Sequence, residues 1–120
     1  MASLLDTLTE FDTATGLAYA DNDEELYTEV LVMFYTQLTG EFHDLASKLA
    51  HSDDVIIRQV HTLKGSAGSV GAERVAATAA TIESALKRHM AITNEQVSEL
   101  ECAIHAAAAQ LAPFADEAAG

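Results

Sequence analysis

The sequence predicts an all-α fold, an antiparallel four-helix bundle with short additional helices at its amino terminus. Three observations lead there. Ala, Leu and Glu, all good helix formers, are abundant and Pro113 is the only proline, so local preference is helical almost throughout. Apolar residues return at three- and four-residue steps, with no alternating run of β-branched residues to suggest a strand. Turn and capping residues divide the chain into segments with short connections, the pattern of helices folding back on one another.

A first short element is expected over about Ser3 to Thr9 and a second over about Thr13 to Ala20, where Gly16 lowers helix propensity. In Asp21-Asn22-Asp23-Glu24-Glu25, Asn22 can cap a helix with Glu25 three residues on, and the acidic turn suits the positive end of the helix dipole. The long helix that follows is expected to reach about Ala50, with Gly40 loosening its middle. Leu26, Val30, Met33, Gln37, Leu45 and Leu49 form its mostly apolar stripe. His51-Ser52-Asp53-Asp54 breaks the chain and caps a third helix, from about Asp54 to Val70, that ends before Gly71. A fourth runs from about Ala72 to Met90. Thr93 with Gln96 makes a capping-box pattern for the last helix, which carries Val97, Leu100, Ile104, Ala108 and Leu111 on one stripe and weakens at Pro113. The expected organisation is one domain, with residues 1–20 as a helical cap over one end and 22–117 as the bundle.

Composition narrows the function. At 120 residues, 49% of them apolar and 21% charged, the chain has enough material for one buried core and is too apolar for a disordered segment. A net charge of -13, from 19 acidic against 6 basic residues, repels nucleic acid and anionic membrane surfaces, so neither is an expected partner. The single cysteine, Cys102, has no internal disulfide partner, and the amino terminus has neither the basic stretch nor the apolar run of a signal peptide. A cytoplasmic location is expected.

The third helix carries the unusual feature. On a wheel of about 100° per residue, Ile56, Val60, Leu63, Ala67 and Val70 fall within a band about 80° wide, which marks the core face. His61 lies about 140° from its centre and shares its side with Lys64, Gly65 and Gly68, so the imidazole is expected to face outward. Two glycines inside a helix each cost roughly 1 kcal/mol relative to alanine, so they need a reason other than helix formation. They clear space above the imidazole, while Lys64 is expected to lean back over the turn that holds His61. A neutral imidazole is a nucleophile near neutral pH, and phosphoryl transfer needs mainly positioning and charge stabilisation. The patch suits a phosphoryl group.

The run His61-Thr62-Leu63-Lys64-Gly65-Ser66-Ala67-Gly68-Ser69-Val70-Gly71-Ala72 resembles the His-x-Leu-Lys-Gly-(x)5-Gly signature of histidine phosphotransfer (HPt) domains. Asp12, Gly16-Leu17, Asp23-Glu24-Glu25-Leu26-Tyr27 and Phe34 resemble the amino-terminal part of such domains in bacterial hybrid sensor kinases, and Ile82-Glu83 matches a stretch of the fourth helix. The resemblance implies that His61 is phosphorylated on the ring nitrogen distal to the backbone, that Lys64 stabilises the phosphoryl group and that Gly65 keeps the site open. It implies a phosphorelay carrier of a two-component system, not a kinase, whose partners are receiver domains and, in cis, a hybrid sensor kinase. The chain would need no cofactor of its own, because the receivers bring the magnesium and the reacting aspartates, and it is expected to work as a monomer. Asp54 and Ile57 lie within about 20° and 40° of His61 on the wheel, so Asp54, an exposed Ile57, Arg58 and Gly68 are the expected partner contacts.

Plainer readings stand beside this one. His43, His51, His89 and His105 lack lysine and glycine companions and read as ordinary surface or helix-end residues, and no two histidines have the i, i+4 spacing of a helical metal site. The glycines follow no strand and Lys64 precedes them, which is the wrong order for a Walker phosphate loop. Ser66 and Ser69 read as structural, and Cys102 has no neighbouring base. The rival hypothesis is a helical scaffold that binds a partner without chemistry, and a third is an inactive relative. Label from a phosphorylated receiver discriminates them.

Overall fold

The computed structural model describes residues 4–51 and 53–119, so Ser3, Ser52 and Gly120 of the expected element ends lie outside the described residues. A 3-10 turn, Leu4–Thr7, precedes α1 (Thr13–Tyr19), α2 (Glu24–Thr39) and α3 (Leu45–Lys48), which runs into a second 3-10 turn, Leu49–His51. Then come α4 (Asp54–Val70), α5 (Glu73–Lys87) and α6 (Asn94–Ala119). The fold is all-α, and no strand occurs among the described residues.

Side-chain caps set most of the helix starts. Asp12 accepts from Thr15 N at 3.2 Å, Asp53 accepts from Ile56 N at 3.0 Å, and Thr93 and Gln96 satisfy each other's backbone N–H groups at 3.0 and 2.9 Å. The α2 cap corrects an expectation. Asp21 and Asn22 have φ of 56° and 59°, a left-handed conformation that short polar side chains tolerate, whereas a cap residue needs extended backbone. Asp23, at φ -93° and ψ 108°, takes the role and accepts from Leu26 N at 3.1 Å.

The expected helix from there to Ala50 also divides. It stops at Gly40, whose φ of -104° and ψ of -100° leave the helical region. Glycine makes the break cheap, and the turn lets Phe42, Leu45 and Leu49 fold back into the core, where all three are buried, with α3 packed against α4 and α6. At the other extreme, α6 passes through Pro113. The carbonyl of Ala109, which loses its i+4 donor there, belongs to an exposed residue, where solvent can reach it.

The four long helices α2, α4, α5 and α6 form the bundle, and their side-chain neighbours fix the directions. Tyr27 near the start of α2 donates to the carbonyl of Val70 at the end of α4 at 2.6 Å. The start of α2 shares a groove with Phe114 and Glu117 of late α6, and the end of α5 shares one with Gln96 of early α6. Each neighbour is therefore antiparallel. The core stripe expected for α4 is buried as a set, and Leu100, Ile104 and Leu111 of α6 join it, with Val97 and Ala108 half-buried beside them.

The stripe expected for α2 is not the buried one. Tyr27, Leu31, Phe34 and Leu38 face the core, while Leu26 and Met33 are 41% and 64% exposed. Both stripes obey helical spacing because α2 is apolar on most sides. The aromatic set wins because its rings bury more area, pack edge to face at Phe11–Phe34, and give the Tyr27 hydroxyl a buried acceptor. Burial, with the Asp12 charge nearby, pushes that hydroxyl's pKa up to about 12, so it donates at any physiological pH.

The amino-terminal pieces lie over the α4–α5 corner. Asp12 N donates to Gly71 O at 2.7 Å, and Gly71 itself ends α4 in a left-handed conformation, φ 80°, with its N–H on the carbonyls of Ala67 and Gly68. A side chain at Gly71 would strike the Asp12 carbonyl, and one at Gly16 would strike the ring of Tyr27. The corner is closed by backbone contact.

Candidate functional site

Burying its apolar stripe turns the opposite face of α4 to solvent. His61 lies on that face with its side chain 61% exposed. A Cβ added at Gly65 or at Gly68 would meet nothing within 4 Å, so neither glycine is required by packing inside this chain. The surface beside the imidazole is low and open, as the wheel indicates.

The residue that completes the site comes from α5. Glu83 is 4% exposed and is the buried charged residue among those described. Its Oε2 lies 2.5 Å from His61 Nδ1, its Oε1 accepts from Lys64 Nζ at 2.5 Å, and Lys87 Nζ, one turn on along α5, lies 3.4 Å from Oε2. A buried carboxylate is costly unless paired and hydrogen-bonded, and here both oxygens are occupied. The hydrogen bond from Lys64, the bond from His61 and the two ammonium charges outweigh burial and hold the Glu83 carboxyl down at about 2.

That ionised carboxylate decides the histidine tautomer. A carboxylate only accepts, so in the neutral ring the proton sits on Nδ1 and the lone pair on Nε2, the nitrogen distal to the backbone. The bond to Glu83 also orients the ring, and the carboxylate can stabilise positive charge that develops on the imidazole when Nε2 attacks phosphorus. What the arrangement can do chemically is nucleophilic substitution at an electrophile brought from outside.

Lys64 departs from the expected pose. It reaches across to α5 instead of lying only over the turn that holds His61, because Glu83 offers an ionised acceptor at the helix interface. Asp54 and Arg58 are exposed on α4, and Gly68 is half-buried. Ile57, expected to be exposed, is half-buried and packs against the core, since its wheel position adjoins the α4–α5 seam; Val55, 59% exposed, is the freer apolar side chain. Ser69 Oγ donates to the Ser66 carbonyl at 3.0 Å, a local structural bond. His43, His89, His105 and Cys102 are exposed, and among the described residues no three His, Cys, Asp or Glu side chains are grouped to hold a metal ion.

Reading the sequence for its histidine leaves Glu83 as part of the Ile82-Glu83 match and misses its bond to the imidazole. A signal was present. Val75, Ala79, Ile82 and Leu86 mark the α5 core stripe, and Glu83 lies on its edge, four residues from Ala79 and three from Leu86. A carboxylate at such a position demands a cation, and Lys87 follows at i+4.

Fold and site together define a helical phosphotransfer module: a bundle that presents one anchored, exposed imidazole and leaves the face around it open. A family model described as Hpt domain matches residues 29–112, well over half of the chain, and the chain belongs to that family. Its general role is therefore phosphotransfer in two-component signalling, as a phosphocarrier without kinase activity of its own, with receiver domains as partners. Comparison with curated proteins and with solved structures gave no significant match. No helix among the described residues is long and apolar enough to cross a membrane.

Proposed function

We propose that the chain is a phosphorelay intermediate that takes a phosphoryl group from the aspartyl phosphate of one receiver domain and passes it to the aspartate of another. His61 Nε2 attacks phosphorus, the N–P bond forms as the acyl P–O bond breaks, and the donor aspartate leaves as a carboxylate. The proton on Nδ1 stays in place against Glu83. Transfer onward reverses the bonds at the second receiver. The observation that carries the reading is the bond between His61 Nδ1 and the buried Glu83, which leaves Nε2 as the free nucleophile on an exposed face.

Lys64 is the cation that meets the phosphoryl oxygens, and Gly65 and Gly68 give the receiver room. Exposed Met33 and a groove of about 150 Å³ lined by Val30, Gln37, Ser66 and Ser69 extend that face toward α2 as apolar docking surface, with Asp54, Arg58 and the outer part of Ile57 at its other end. The magnesium belongs to the receiver, the carrier works as a monomer in the cytoplasm, and a hybrid sensor kinase in cis is a further partner in this scheme. Incubation with a panel of phosphorylated receivers should leave acid-labile label on the wild type and none on His61→Gln, with the variant's helical circular dichroism unchanged. A wild type that takes no label from any receiver would refute the proposal.

A further inference from the structure

Three basic or imidazole groups converge on one buried carboxylate, more than Glu83 needs in the resting state. Lys64 occupies Oε1, while His61 Nδ1 and Lys87 Nζ share Oε2. The three are not equally committed. Lys64 is 37% exposed, whereas the Lys87 side chain is 60% exposed, sits at the longer distance of 3.4 Å and comes from the same helix as Glu83. With His61 neutral, the cluster of Glu83, Lys64 and Lys87 carries a net charge of +1. A phosphoryl group adds about two negative charges on the face that Lys64 shares with His61, and Lys64 cannot hold Oε1 and the phosphoryl oxygens equally well.

We propose that Lys87 is the standing counter-ion of Glu83: when Lys64 turns to the phosphoryl group, Lys87 keeps the carboxylate ionised and His61 Nδ1 anchored. This rests on the proposed role of His61 as phosphoacceptor. Lys64 is then a cation that changes partner, and Lys87 is a positioning residue that acts through Glu83 without touching the phosphoryl group. Without Lys87, a carboxylate 5% exposed would face the new dianion with no cation beside it. It would take up a proton or release the ring, and either event loosens the phosphoimidazole.

The test loads the full chain with phosphoramidate, a small donor whose P–N bond breaks with loss of ammonia, so loading does not depend on finding a receiver. Lys87→Met and Lys87→Arg are compared with wild type by two readouts: the lifetime of the N–P bond and the His61 ring-nitrogen NMR signals before and after loading. In unloaded Lys87→Met the Nδ1–H signal stays as in wild type, because Lys64 still holds Glu83. In the loaded variant that signal exchanges or shifts and the phosphohistidine hydrolyses roughly three- to tenfold faster, while Lys87→Arg behaves as wild type. A purely structural role would disturb both states alike. Equal lifetimes and signals in loaded wild type and Lys87→Met overturn this inference alone; a wild type labelled neither by phosphoramidate nor by receivers overturns the phosphoacceptor reading with it.

Discussion

Replacing Gly65 by alanine should make the protein more stable and less active at once. The position is in the middle of α4, and a Cβ there meets nothing within 4 Å, so alanine carries no steric penalty inside the chain. The helix gains the propensity difference, about 0.8–1.0 kcal/mol. For a domain of 120 residues that corresponds to a rise in Tm of about 3–6 °C. The same methyl stands on the exposed face one turn after His61, where a receiver must bring its aspartate to Nε2. Forcing a methyl into a packed interface costs about 1–3 kcal/mol, a loss of roughly 5- to 150-fold in transfer rate. Thermal unfolding followed by circular dichroism measures the first effect, and label transfer from a phosphorylated receiver the second. A fall in Tm would mean that the glycine serves the fold, and an unchanged transfer rate would mean that it does not serve access; either result refutes the reasoning.

Three further outcomes follow from the packing. Gly71→Ala places a side chain at φ 80° and drives its Cβ into the Asp12 carbonyl, so it should cost more than the about 1–2 kcal/mol of the left-handed conformation alone, read as a lower urea midpoint; a loss below that range would show that the α1 corner yields. Tyr27→Phe leaves the Val70 carbonyl without its hydroxyl donor and should destabilise by about 1–3 kcal/mol, and a neutral change would mean that water reaches that carbonyl. Glu83 has a folded pKa of about 2, below the ordinary carboxyl value of about 4.3, so its stabilising contribution is complete above that value and is lost as pH falls toward 2. Glu83→Gln should therefore flatten the acid limb of stability between about pH 4.5 and 2, and an unchanged slope in urea titrations across that window would contradict the ion cluster.

Much of the site was legible because it lies on one helix whose signals are local. The Asp53 cap, the Gly71 stop and the stripe from Ile56 to Val70 depend on residues within a turn or two of each other, so they fix both the ends of α4 and the outward direction of His61. The start of α6 was legible for the same reason, through Thr93 and Gln96. Where a helix offers two apolar stripes, local spacing cannot choose between them. In α2 the packing of Tyr27 and Phe34 against α4 and Phe11 made the choice and left Leu26 and Met33 outside. The break at Gly40 is of the same kind, since a weak helix position bends only when the rest of the bundle rewards it.

By itself, then, the sequence determined the helical class, the family and the exposed histidine with its lysine and glycines, all of which follow from short-range spacing. The resemblance pointed to the distal nitrogen of His61, but only the tertiary structure supplied a physical reason for that nitrogen to be the free one. That depends on Glu83, 22 residues away in the chain and 2.5 Å away in space, and a buried carboxylate finds its partners only when two helices pack.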